Sequence, residues 1–228
     1  MKLTKKHILY SFLVFIGVLI IYRCWSERTV EGYDDTQLQY IHDTLLRILE
    51  RSLPIFEKHR LIYWADFGTL LGCIREGKII DWDDDIDLAV MKEDYTRLRT
   101  NTAIHDDLDA AGLKLLPPDR TDHGLLKIVM KQPDNDYTKN KIFVDIFCYH
   151  RDKDKYILSC PTERAWWPKS YYMVNEIHRL PEKQFHHLKI HIPDNPTGYL
   201  KRFYGDDWET PKKDHDDHED EVNLTKIQ

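Results

Sequence analysis

Apolar residues recur at Leu38, Ile41, Leu45, Ile48, Leu49, Leu53 and Phe56, the three-and-four spacing of a helix that buries one face. A helix is therefore predicted over 34–59, with Pro54 expected to kink it or end it early. "LIYWAD" (61–66) is short, aromatic and β-branched and reads as a strand, and "FGTLLGCIREGK", with Gly68, Gly72 and Gly77, reads as a glycine-marked turn into a short helix. "IDLAV" (86–90) is a second strand. Residues 92–111 read as one charged helix closed by Gly112. "LLKIVM" (125–130) and "IFVDIFCY" (142–149) are further strands, joined by the turn-rich "KQPDNDYTKN". "NPTGYLKRFYG" reads as a short helix stopped by Gly205, whereas 150–195 yields no assignment. Strands interleaved with helices predict an α/β or α+β sheet with helical cover.

The pattern differs at the beginning of the chain. Residues 8–22, "ILYSFLVFIGVLIIY", are unbroken by charge, with Lys2, Lys5 and Lys6 before them and Arg23 after. As a helix, residues 8–25 span roughly 27 Å at about 1.5 Å per residue, enough for a thin bilayer. "RCWSERTVEG" lacks the small residues of a signal cleavage site, which favours a signal anchor over a cleaved signal or a buried helix. The lysines favour a cytoplasmic N-terminus and a lumenal (Golgi or ER) or extracytoplasmic body. The resulting expected organisation is 1–7 cytoplasmic, 8–25 transmembrane, 26–60 stem and amphipathic helix, 61–211 main folded domain and 212–228 polar tail.

Composition changes this picture little. A hydrophobic content of 42% over 228 residues supports one sizeable core, and a net charge of −6 gives no basic field for nucleic acid. The four cysteines form no C-x-x-C pair, which argues against structural zinc; Cys148 and Cys160 are a disulfide or two free thiols. The tail "KKDHDDHEDE" reads as a solvated end, and Asn223-Leu224-Thr225 is a glycosylation sequon usable only in a lumen.

The chemistry concentrates in "DWDDDIDLAV" (81–90). Alternation on a strand puts Asp85 and Asp87 on one face and Ile86 and Leu88 on the other. Two carboxylates held together repel one another and lose hydration, and a hard divalent cation, Mg²⁺ or Mn²⁺, resolves both costs. Asp81, Asp83 and Asp84 lie in the approach and are expected to matter less. Asp145 is the one polar residue of "IFVDIF", so it must be paired, hydrogen-bonded or metal-bound; Lys127 is a candidate partner. Gly68 and Thr69, at a helix start after a strand, offer N–H groups and a hydroxyl to a phosphate. Arg75, Lys78 and Lys127 are candidate phosphate partners.

Together, "WADFGTLLGCIREGKIIDWDDDIDLAVMKEDYTRL", "KNKIFVDIFCYH" and "PDNPTGYLKRFYGDDWETP" resemble the LicD/fukutin family of phosphotransferases across most of 61–211. The resemblance implies an α+β, nucleotidyltransferase-like mixed sheet. It also implies transfer of a phosphorylated alcohol, of phosphocholine or ribitol phosphate type, from a CDP-activated donor to a glycan or glycoconjugate acceptor. On this reading Asp85 and Asp87 match the metal-binding pair, Asp145 the third carboxylate, as ligand or general base, and Gly68 and Thr69 the donor-contacting turn. Trp166, Trp167, Tyr171 and Tyr172 are candidates for an aromatic cage around choline. A transferase attaching the nucleotide itself and a non-catalytic metal- or glycan-binding protein are the alternatives.

Overall fold

The computed structural model describes residues 35–118, 124–132 and 142–212. From Leu38 onward these belong to one compact unit. Helix α1 (Asp35–Lys58) keeps the predicted apolar stripe, with Leu45, Ile48, Leu49 and Phe56 fully buried. Each such side chain contributes about 1.5–3 kcal/mol of hydrophobic stabilisation. Pro54 does not end it. The helix continues to Lys58, because proline removes a single N–H donor and the face carrying Ile55 and Phe56 is already held in the core.

Strand β1 (Tyr63–Ala65) leads into helix α2 (Phe67–Arg75), and strand β2 (Ile86–Met91) follows the acidic stretch. The single helix expected over 92–111 is two, α3 (Lys92–Thr100) and α4 (Thr102–Ala110). Asn101 adopts an extended conformation and its side chain accepts from the Ala103 N–H, so it ends one helix and caps the next. Gly112, at φ +73, closes the helical stretch as predicted, and the chain then enters β3 (Leu113–Leu116), which the sequence did not predict. Alternation over so few residues is too short to distinguish β3 from a helix end.

Strands β4 (Leu126–Met130) and β5 (Val144–Asp152) confirm the two predicted apolar strands. The stretch 150–195, unassigned from sequence, holds β6 (Lys155–Leu158), α5 (Pro161–Trp166), β7 (Tyr171–Met173) and the hairpin β8 (Glu182–Phe185) and β9 (Leu188–His191). Helix α6 (Thr197–Tyr204) ends at Gly205, φ +97, as expected.

The main sheet runs β1-β2-β5-β4-β3, with β6 on β5 and β7 on β6. Only β2 and β5 pair in parallel; every other described pairing is antiparallel. The fold is therefore a mixed sheet of α+β type. Among the described residues no helix is long and apolar enough to cross a membrane. The apolar run at 8–25, the turn-rich 133–141, the sequon and most of the tail lie outside the described residues.

Candidate active site

Strands β2 and β5 place the acidic residues. In their parallel register Asp87 stands opposite Asp145, while Lys127 stands opposite Asp145 from β4. Ile86 and Leu88 are fully buried, so the alternation read from sequence holds and pins the carboxylate-bearing face. Oxygens of Asp85, Asp87 and Asp145 lie within 4.8 Å of one another. Ligand oxygens on one ion, each about 2.0–2.6 Å from it, are separated by roughly 4–5 Å at most, so this all-oxygen set fits a hard divalent cation. A second group, Asp83, Asp84 and Asp85, meets the same spacing.

The electrostatics agree with that fit. Burial, reinforced by the charges of Asp85 and Asp145, pushes the Asp87 carboxyl well above the usual carboxylate range. Burial, then the neighbouring Asp85, does the same to Asp83. A bound cation would relieve the like-charge repulsion that holds protons on this cluster.

Helix α2 abuts the cluster through its first turn. Thr69 Oγ1 accepts from the Asp87 N–H at 2.8 Å, and the Asp66 N–H donates to the Asp87 carbonyl at 3.0 Å. The Thr69 hydroxyl thus fixes β2 and is buried, a tighter role than a turn open to solvent. The first backbone bond of the helix runs from Leu70 N–H to Asp66 O, and the Asp66 carboxylate takes the Phe67 N–H. That leaves the Gly68 and Thr69 amides ahead of the helical ladder, where an anion is favoured. Gly68 also makes room for Asp83, since a Cβ there would lie 2.5 Å from Asp83 Oδ2.

Lys127 ion-pairs with Asp145 at 3.0 Å, both largely buried, so the amine partner considered from sequence and the carboxylate cluster coexist. Arg75 and Lys78 are placed differently. They follow Thr69 by six and nine residues, and Arg75 is about 9 Å along α2 at 1.5 Å per residue. Arg75 pairs with Glu76, and Lys78 with Asp81 and Glu76. Arg75 also lines a cavity of about 50 Å³ with Trp82 and Trp208.

Of the four aromatic cage candidates, Trp166 and Trp167 meet edge to face at 6.0 Å, while Tyr171 and Tyr172 lie on opposite faces of β7. Tyr172 is fully buried, stacked on Tyr199 at 4.1 Å and bonded to Asp66 Oδ1 at 2.6 Å. Tyr171, on the opposite face of β7, carries Lys155 and Arg202 against its ring. Trp167 packs on Phe67 and Phe147. Cys73, Cys148 and Cys160 are free thiols, which decides between the alternatives left for Cys148 and Cys160.

Sequence reasoning passed over Asp66, Phe67 and Glu163. Asp66 is completely buried, and burial raises its carboxyl despite the Tyr172 hydrogen bond. Phe67 holds φ +39, the left-handed region that a bulky residue rarely adopts, at the junction that delivers Gly68 and Thr69 to the cluster. Its ring packs against Phe147, Trp167 and Phe203, which holds that backbone in place. A charged residue ending an apolar strand was the available signal for Asp66. Nothing in the local pattern marks Glu163.

Asp87 and Asp145 on adjacent strands, with Asp85 just before β2, thus form an all-oxygen cluster beside a helix start. The chain belongs to the LicD/FKTN/FKRP family, whose nucleotidyltransferase domain matches residues 60–195. It is similar to the uncharacterized protein RT0683 of Rickettsia typhi, 26% identical over 208 residues, covering 84% of this chain and 58% of that one. It is also similar to the ribitol-5-phosphate transferase FKTN of Macaca fascicularis, 25% identical over 169 residues, covering 74% of this chain and 34% of that protein. The lipopolysaccharide cholinephosphotransferase LicD of Haemophilus influenzae is 38% identical over 52 residues, covering 23% of this chain and 20% of that protein. The chain therefore spans between a fifth and three-fifths of these relatives.

Proposed function

We propose that the protein is a divalent-metal-dependent transferase that moves a phosphorylated alcohol, of ribitol phosphate or phosphocholine type, from a CDP-activated donor to a glycan hydroxyl. The observation that carries this reading is the convergence of Asp85, Asp87 and Asp145 beside the first turn of α2, in a chain of the LicD/FKTN/FKRP family. Asp85, Asp87 and Asp145 would hold Mg²⁺ or Mn²⁺, and the ion would supply positive charge to the donor pyrophosphate. The Gly68 and Thr69 amides receive a phosphate oxygen at the helix start. Lys127 pairs with Asp145, Arg75 with Glu76 and Lys78 with Asp81 and Glu76, and all three cations are candidate partners for the donor phosphates. The acceptor hydroxyl gives up its proton to a carboxylate of the cluster or to water as its oxygen bonds to the phosphorus that bears the alcohol. The bond from that phosphorus to the bridging oxygen breaks, and CMP departs with the electron pair.

An anchor formed by residues 8–25, with a cytoplasmic N-terminus and a lumenal or extracytoplasmic body, belongs to the same proposal. Protease protection of the body in sealed vesicles tests it. The activity is tested by incubating the purified full chain with CDP-ribitol or CDP-choline and glycan acceptors, then analysing products. Release of CMP with phospho-alcohol on the glycan supports the reading. Attachment of the nucleotide itself would replace it with nucleotidyl transfer, and metal binding without turnover on any donor would leave a binding protein.

A further inference from the structure

The stretch between α2 and β2, residues 76–85, has no strand or helix of its own, yet it must deliver Asp83 and Asp85 to fixed positions. Its backbone is held from outside by two histidines. At the tip of the β8-β9 hairpin the His186 N–H donates to Gly77 O at 2.7 Å, and the Ile79 N–H donates to His186 Nε2 at 2.8 Å. From α1, His42 Nε2 donates to Asp83 O at 2.7 Å. The Asp83 N–H closes a turn onto Ile80 O, and the Asp83 carboxylate sits against Gly68, where it is hydrogen-bonded to the Asp85 side chain. Hydrogen bonds therefore connect α1 and the hairpin to the cluster through the backbone of this stretch.

We propose that His42 and His186 are positioning residues for the acidic loop, setting metal affinity without touching the ion. The two imidazoles use opposite chemistry. His42 donates a ring proton to a carbonyl. His186 accepts an amide proton on Nε2, so its own proton sits on Nδ1 and the ring is neutral. His186 also holds φ +50, a left-handed conformation in the two-residue turn between β8 and β9. Groups that support a ligand from behind typically change metal affinity 10–100-fold when removed, and the hydrogen bonds here act on the loop carrying Asp83 and Asp85.

This inference rests on the metal-site reading above. The test is Mn²⁺ titration calorimetry on the purified full chain, together with the melting temperature in EDTA. His42→Leu should weaken Mn²⁺ by about tenfold or more, and His42→Gln, which keeps a donor, should recover most of that affinity. The EDTA melting temperatures of the two variants should be similar. Should His42→Leu fail to fold, His186→Gly carries the same test, because glycine suits the backbone there and removes the accepting ring. Wild-type affinity in His42→Leu or His186→Gly, or equal loss in His42→Leu and His42→Gln, would overturn the positioning role. Absence of Mn²⁺ binding by the wild-type chain would instead overturn the metal site, and the histidine role with it.

Discussion

Asp87 and Asp145 face one another across the parallel pair β2 and β5, and Lys127 reaches Asp145 from β4 at 3.0 Å. Two carboxylates in register on buried strands are unfavourable alone. One ammonium on one side of the pair compensates only part of their charge.

Lys127→Met should therefore destabilise the metal-free protein strongly, by about 3–5 kcal/mol, since it strips the partner from a largely buried carboxylate. Added Mn²⁺ should narrow the gap to wild type, because the ion supplies the missing positive charge. Thermal melts with EDTA and with Mn²⁺ read both effects.

Gly68→Ala puts a methyl carbon 2.5 Å from Asp83 Oδ2, well inside van der Waals contact. The carboxylate must move, and a displacement on the ångström scale at an active site costs about 100-fold in rate. Turnover should fall by that order while circular dichroism stays native.

The aspartates of the approach should not behave alike. Asp81 is exposed and ion-paired with Lys78, whereas Asp83 is packed against Gly68 and hydrogen-bonded to Asp85. Asp81→Asn should retain near-normal CMP release and Asp83→Asn should lose most of it. The sequence reading grouped both among the less important positions, because a spacing pattern carries no information on which loop carboxylate folds back onto a glycine.

Glu163 is almost completely buried, and burial, partly offset by Arg164, pushes its carboxyl from 4.5 to about 8. Between those values the unfolded chain releases the proton while the folded protein keeps it, so Glu163 makes stability fall as pH rises, up to about 8. Glu163→Gln removes that contribution. The difference in melting temperature, variant minus wild type, should grow from acid pH to about 8 and then level off.

The parts of the fold legible in the sequence are those with long or strict periodicity. The α1 stripe, the alternation through Asp85-Ile86-Asp87-Leu88 and the lone polar residue of "IFVDIF" led to three carboxylates that the register of β2 and β5 does bring together. Short strands such as β3 and β7, three or four residues each, leave no readable period. Pattern alone does not show that α1 continues past Pro54, where core burial outweighs a missing donor, or that a side-chain cap at Asn101 interrupts a strong helical pattern. The histidine bonds to residues 77–83 join positions 41 and about 107 apart in sequence, which no local pattern contains.

CMP release by the full chain from a CDP-activated alcohol is the measurement that decides whether Asp85, Asp87 and Asp145 form a metal site for phosphoryl transfer. Turnover is expected with Mg²⁺ or Mn²⁺, none in EDTA, and none in Asp87→Asn with metal present. Equal CMP release in EDTA, or wild-type turnover in Asp87→Asn, would contradict it.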